Sequence, residues 1–180
     1  GTGQSTLRSA IMEANALTAI AGSAPIVIQL NPGTYQLSRA GKNEDAAVTG
    51  DLDITGSITL IGAGGGATVI DAAGLDRVFQ LLPGATLNLV GVTVTGGNAS
   101  GSFFDGGIVG GGILNKGGVL SIAGSEIRGN SLTAAGSGDS GGAGVTVIAG
   151  TVAITNSVIT QNAATGGSGG GLLFMVGTVA

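Results

Sequence analysis

The chain has no histidine, no cysteine and no tryptophan, and only four Phe and one Tyr among its 180 residues. Without histidine there is no Ser-His-Asp or Cys-His nucleophile system, no imidazole metal ligand and no side chain that ordinarily exchanges protons near neutral pH. Without cysteine there are no disulfides and no thiolate metal sites, which is compatible with any compartment. Charge is sparse too: 9% of residues are charged, the net charge is -4, and the six basic residues Arg8, Arg39, Lys42, Arg77, Lys116 and Arg128 are scattered singly. They build no basic stripe for phosphates, so nucleic acid is not an expected partner. No apolar run approaches the roughly 18 residues of a membrane span, and no charged-then-apolar leader opens the sequence.

What the chain has instead is glycine, 38 residues of it, and 43% hydrophobic residues drawn mainly from small and branched types. The glycine has no collagen period, and Val, Ile and Leu are too frequent for a disordered linker. The organising phrase is Gly56-Ser-Ile-Thr-Leu-Ile-Gly62. Its two alternating apolar residues and closing small residue return as Leu87, Leu89, Gly91, then Leu120, Ile122, Gly124, then Val152, Ile154, Asn156, and begin again at Val179. From Ile58 the steps are 29, 33, 32 and 27 residues. An uneven period of this size indicates one coil per repeat with corners and loops of variable length. Strands of three to six residues joined by glycine corners cannot pair as hairpins at this spacing, whereas the matching strand of the next coil lies one period away. The expected fold is therefore all-β, with parallel sheets stacked coil on coil at about 4.8 Å per step. Ile58, Leu87, Leu120, Val152 and Val179 should form an inward ladder, and Ile127 should align with Ile159 and Asn130 with Asn162.

Residues 1–180 form a single expected domain. Residues 5–17 predict a helix with Leu7, Ala10, Ile11, Ala14 and Leu17 on one face and Ser5 or Thr6 as N-cap. Such a helix is suited to cap the exposed end of a repeat array. Residues 25–50 predict two leading strands around a turn at Asn31-Pro32-Gly33, then a charged, solvated loop over 38–50; coils fill 51–180. Three glycine- and serine-rich runs, Gly97 to Gly111, Thr133 to Gly144 and Ala163 to Gly171, interrupt the coils and should project from one flank. Asn115, Asn130, Asn156 and Asn162 fall at corners, where Asn tolerates left-handed backbone and can hydrogen-bond along the stack. Thr59, Thr93, Thr95, Ser121 and Thr155 offer outward hydroxyls, without the regular two-column spacing that ice binding would demand.

Gln4-Ser-Thr-Leu-Arg-Ser-Ala-Ile11 followed by Glu13-Ala-Asn15 resembles the Cys-[Ser/Thr]-Leu-Arg-Glu-Ala-Ile segment of bacterial surface and secreted proteins with the pectate-lyase-like fold. Asn-Pro-Gly-Thr-Tyr (31–35), Gly50-Asp-Leu-Asp-Ile-Thr55, Ile70-Asp71 and Gly-Gly-Gly-Ile-Leu-Asn (110–115) extend the resemblance along essentially the whole chain. It departs at Ser5 and Ser9, where that family usually has Cys and Glu. The resemblance implies a right-handed parallel β-helix with a short N-terminal capping helix, and a secreted or cell-surface bacterial location. It fixes architecture more firmly than activity, because this fold carries lyases, hydrolases, adhesins and scaffolds.

Candidate chemistry is thin. Asp51 and Asp53, two apart on a strand, share a face and are the best carboxylate pair for glycosidic chemistry. At the 29-residue step they would stand against Gln80 and Leu82, so no acidic ladder develops. Asp71, Asp76 and Arg77 form a second group, and an Arg beside carboxylates is what a pectate-lyase-like activity would use. Gly62-Ala-Gly-Gly-Gly-Ala67 fits a loose dinucleotide fingerprint but is followed by the β-like Thr68-Val-Ile-Asp71 where a helix is needed. Gly136 to Gly142 lacks the register of calcium-binding nonapeptides, and Asn98-Ala-Ser100 is a chance-level glycosylation sequon. No cofactor or metal is expected. The expected function is a non-catalytic structural or adhesive module that binds polysaccharide or another surface protein. The alternative is a polysaccharide lyase or glycoside hydrolase built on Asp51, Asp53, Asp71 and Arg77, with its site partly beyond Ala180. The chain is expected to be a fragment, its last strand edge a template for end-to-end or edge association.

Overall fold

The computed structural model describes residues 6–20, 24–42, 44–101, 109–134, 141–166, 169–175 and 178–179. All strand pairing among them is parallel, and it builds a β-solenoid behind one short helix, Leu7–Thr18. A first ladder stacks Leu52–Ile54, Phe79–Leu81, 113–115, 145–147 and Leu172–Phe174. A second stacks Ile26–Gln29, Ser57–Ile61, Thr86–Val90, 119–123, 151–155 and Thr178–Val179. A third stacks Gly33–Gln36, Thr68–Asp71, Thr93–Thr95, Glu126–Arg128 and Val158–Thr160. The leading strands are thus the first coil itself.

The period places like residues over one another. Ile58, Leu87, Leu120 and Val152 stand opposite in successive coils, as do Leu60, Leu89 and Ile122, all buried in one core with Ile70, Val94 and Ile127. Burying each such aliphatic contributes about 1.5–3 kcal/mol of transfer free energy, and a column of them needs no large aromatic. The strands alternate buried and half-buried residues in the second ladder, as period-two side chains demand. The closing positions also agree in conformation: Gly91, Gly124 and Asn156 turn with φ of 62°, 55° and 49°. Asn is the residue that tolerates this left-handed backbone best after glycine.

Three expectations require correction. The runs after the third strand are partly strands, because Asn98–Gly101, Ser131–Ala134 and Ala163–Thr165 pair as a fourth ladder and Val109–Gly110 pairs with Gly141–Gly142. These segments are too short and small-sided to show a period of two; the middles of all three runs lie outside the described residues. Second, Asn115 meets no other asparagine among the described residues: it folds a corner, accepting the N–H groups of Gly117 and Gly118 at 3.1 and 2.7 Å, and bonds along the stack only by donating to the Thr151 carbonyl of the next coil at 3.2 Å. Third, the buried stripe of the helix is Leu7, Arg8, Ile11, Ala14 and Asn15, whereas Leu17 is 44% exposed. The stripe is rotated because two polar residues on it bind the solenoid's first strand edge.

That edge is what the helix covers. Starting from N-cap Thr6, the helix lays Arg8 and Asn15 two turns apart on one face. Arg8 donates to the carbonyls of Ala47 and Asp51 at 2.8 Å, of Thr49 at 3.3 Å, and of Gly50. Asn15 donates to the Asp53 carbonyl at 2.8 Å and accepts the N–H of Thr55 and Gly56 at 3.0 and 3.3 Å. Two side chains thereby replace a neighbouring strand for groups that would otherwise be unpaired. The approach is close enough that a Cβ on Gly56 would lie 1.7 Å from Thr18 Oγ1, which explains the glycine opening the repeated phrase.

Asn130 and Asn162 do form a ladder. Asn130 accepts the Gly97 N–H at 2.9 Å and donates to the Val94 carbonyl and to Asn162 Oδ1 at 3.2 and 3.0 Å, while Asn162 donates to the Ile127 carbonyl at 2.9 Å. Asn130 is buried and Asn162 half-buried. Asn130→Ala leaves buried backbone groups unpaired and should cost about 2 kcal/mol in urea unfolding, with Asn162→Ala costing less than half of that. An equal cost at the two positions would mean that burial does not set the strength of this ladder. The double variant Arg8→Ala/Asn15→Ala should self-associate more strongly in sedimentation velocity than the parent chain at the same concentration.

Candidate functional site

The first ladder is buried on both faces in its first two strands, Leu52–Ile54 and Phe79–Leu81. Leu52, Ile54, Phe79 and Leu81 point to the core, so Asp53 and Gln80 point outward. They are nevertheless 0% and 4% exposed. The cover is the segment 44–50, expected to be a solvated loop. It is pinned instead: Asp53 Oδ2 accepts the Ala47 N–H at 2.8 Å, and Glu44 accepts the N–H of Ala46 and Thr49 at 2.9 and 2.8 Å. Ala47 is fully buried with φ 57°, a conformation that costs a non-glycine residue about 1–2 kcal/mol. Its N–H meets Asp53 and its carbonyl meets Arg8, which is what holds it there.

Under this cover, Asp53 faces Gln80, not Leu82. The register step is 27 residues here, from Asp53 to Gln80, and 29 in the second ladder, from Ile58 to Leu87. The corner after the first-ladder strand has two residues in one coil (55–56) and four in the next (82–85). The amide bridges the acids: Gln80 Nε2 donates to Asp53 Oδ1 at 3.0 Å and to Asp45 Oδ1 at 2.6 Å, and its Oε1 accepts from Arg77 Nη1. Arg77 Nη1 also stands 3.5 Å from Asp51 Oδ2, and Lys116 Nζ stands 3.9 Å from Asp45 Oδ1. Asp51 is 3% exposed, and its Oδ2 has no hydrogen-bond partner among the described residues.

The structure therefore brings Asp51, Asp53 and Arg77 together and leaves Asp71 in the third ladder, where it accepts the Ala73 N–H at 2.7 Å. Asp76 is buried and accepts the Arg77 N–H at 2.8 Å. Sequence reasoning missed Gln80, Asp45, Arg8 and Asn15 as members of one network. Arg8 and Asn15 carried a signal, two polar residues seven apart in the helix; Gln80 carried none, because its role depends on register.

Burial sets the electrostatics. It pushes the Asp51 carboxyl up to about 8, with Arg77 opposing and Asp53 and Asp76 reinforcing. Burial pushes Asp53 up to about 6, against the hydrogen bonds from Ala47 and Gln80. No group of three or more acidic side chains among the described residues is placed to hold a metal ion. A separate cleft of about 450 Å³ lies between the first half of the helix and residues 34–39, with Arg8, Met12, Tyr35 and Arg39 on its walls and no carboxylate. No helix of the described residues is long and apolar enough to cross a membrane.

The class these features define is a parallel β-solenoid with a helix-capped first coil. No protein-family model matches the chain, and no curated protein or solved structure matches it significantly.

The raised carboxyl groups fix the sign of a pH effect. A carboxyl whose folded-state pKa lies above its unfolded value contributes stability that is complete below pH about 4 and is lost as pH rises through the folded value. Stability should therefore fall between pH 4 and pH 8, the Asp53 share by about pH 6 and the Asp51 share by about pH 8. Asp51→Asn should raise the urea midpoint relative to the parent at pH 9 and not at pH 4. A midpoint that climbs with pH would contradict the direction of both shifts.

Proposed function

We propose that the chain is a non-catalytic structural or adhesive β-helix module, secreted or exposed on a bacterial surface, that binds polysaccharide or another surface protein. The observation that carries this reading is the outer face of the second ladder. Its strands Ser57–Ile61, Thr86–Val90, 119–123 and 151–155 keep unbroken register and contain no charged residue. Their outward positions align hydroxyl, amide and methyl groups, as in Ser57, Thr86, Val119 and Thr151 or Thr59, Asn88, Ser121 and Ala153. Asn88 Nδ2 donates to Thr59 Oγ1 at 3.0 Å along such a column. A half-exposed, uncharged surface of this kind suits broad contact with a sugar polymer or a protein rather than bond cleavage.

The covering of Asp51 and Asp53 supports the same reading, since a glycosidase needs its two carboxylates open to substrate. The resemblance of residues 4–15 to the opening segment of bacterial surface proteins supports the location. The convergence of Asp51, Asp53 and Arg77 favours the second reading, a pectate-lyase-like lyase or hydrolase.

A glycan array followed by a reducing-end assay on every hit separates the readings. Binding without release of reducing ends is expected, weakened at least tenfold by Thr59→Lys/Ser121→Lys. Cleavage that disappears in Asp53→Asn would replace the proposal with the enzymatic reading, and absence of any glycan binding would leave a protein partner or a pure scaffold.

A further inference from the structure

We propose that the loop 44–50 is a pH-gated clasp over Asp53 and Gln80, shut while the neighbouring Asp51 is uncharged and opened when Asp51 ionises beside Asp53. The loop has the construction of a separable part. Ala47 is its only fully buried apolar residue, Val48 is 42% exposed, and its remaining anchors are polar. Those anchors reach it from three directions: Asp53 beneath it, Arg8 from the helix, and Gln80 with Lys116 through Asp45. Few apolar contacts and many polar ones mark a segment that opens at lower cost than the core.

The trigger is the one oxygen in the cluster that the closed form leaves unsatisfied. Asp51 Oδ2 is buried without a hydrogen bond, so the closed arrangement suits a neutral carboxyl. Its charged neighbours are Arg77, Asp53 and Asp76; Glu44 and Asp45 face Asp53; Arg8, with Arg39 near it, faces the loop carbonyls and both acids. Arg77 is the cation nearest Asp51, and Gln80 engages the same Nη1. A second carboxylate charge next to Asp53 and Asp76 is offset only in part by Arg77 at 3.5 Å, and it repels the Asp53 carboxylate that anchors Ala47, so the loop held by that anchor is what can move. Burial already holds the Asp51 carboxyl near 8, which supports a transition in that region. The composition makes it readable, because a chain without histidine or cysteine has no ordinary side chain titrating between pH 6 and 8. Opening would present two carboxylates, an amide and a guanidinium on the outer face of the first ladder.

The test uses the absence of native cysteine. Val48→Cys carries a nitroxide label whose spin-resonance lineshape reports loop mobility, and Val119→Cys carries the same label as a reference on the second ladder. From pH 5 to 9.5 the mobile fraction at position 48 should rise at least fivefold with a midpoint within about one unit of 8, while position 119 stays unchanged. Asp51→Asn should abolish the rise, which also separates it from titration of a chain terminus. Asp76→Asn, which keeps an acceptor for the Arg77 N–H but removes a neighbouring charge, should move the midpoint down by at least half a pH unit. Circular dichroism at each pH establishes that the solenoid stays folded. A lineshape at position 48 that does not change with pH, a rise that persists in Asp51→Asn, or equal loosening at positions 48 and 119 would each overturn the proposal.

Discussion

Parallel main-chain pairing between one coil and the next is the constraint to which the rest of the molecule answers. Each coil spends its N–H and C=O groups on its two neighbours, so every coil must present the same strands at the same heights. That requirement, not any local propensity, stacks Ile58, Leu87, Leu120 and Val152 into a column. It tolerates corners of different length, because a corner can lengthen without disturbing the strands beside it, as 55–56 and 82–85 do.

Where pairing cannot continue, side chains take over the role of a strand. At the first edge, Arg8 and Asn15 present a guanidinium and an amide to backbone groups that have no preceding coil. At the corners, Asn130 and Asn162 bridge coils by amide hydrogen bonds, and Asn115 closes its own bend while donating to the Thr151 carbonyl of the next coil. Amides suit both tasks because one side chain supplies donor and acceptor together. The sparing use of charge follows: most polar needs of the fold are met by backbone and amide.

The exception is the pocket of acids beneath residues 44–50. Asp51 and Asp53 sit on the outer side of the first ladder, where a strand rule would put them in water, yet both are buried and a loop lies over Asp53. Enclosure raises both carboxyl groups, and Arg77 and Gln80 offset only part of its cost. The pocket's hydrogen bonds link the helix, the loop and the first two coils through polar contacts rather than apolar packing.

The amino-acid sequence alone determined the coil architecture. A period near 30 residues, alternating apolar positions and small closing residues leave parallel stacking as the arrangement that buries the apolar face and pairs the backbone, and the helix before it is legible from its apolar spacing. Tertiary structure alone decided what covers what. The 27-residue step that sets Asp53 against Gln80 depends on corner length, the burial of Asp53 depends on a charged loop folding back, and the rotated stripe of the helix depends on carbonyls contributed by residues 47–53. Local pattern encodes which face a residue occupies within its own strand; it does not encode whether a distant segment will lie over that face, because that is settled by hydrogen bonds between parts of the chain that share no period.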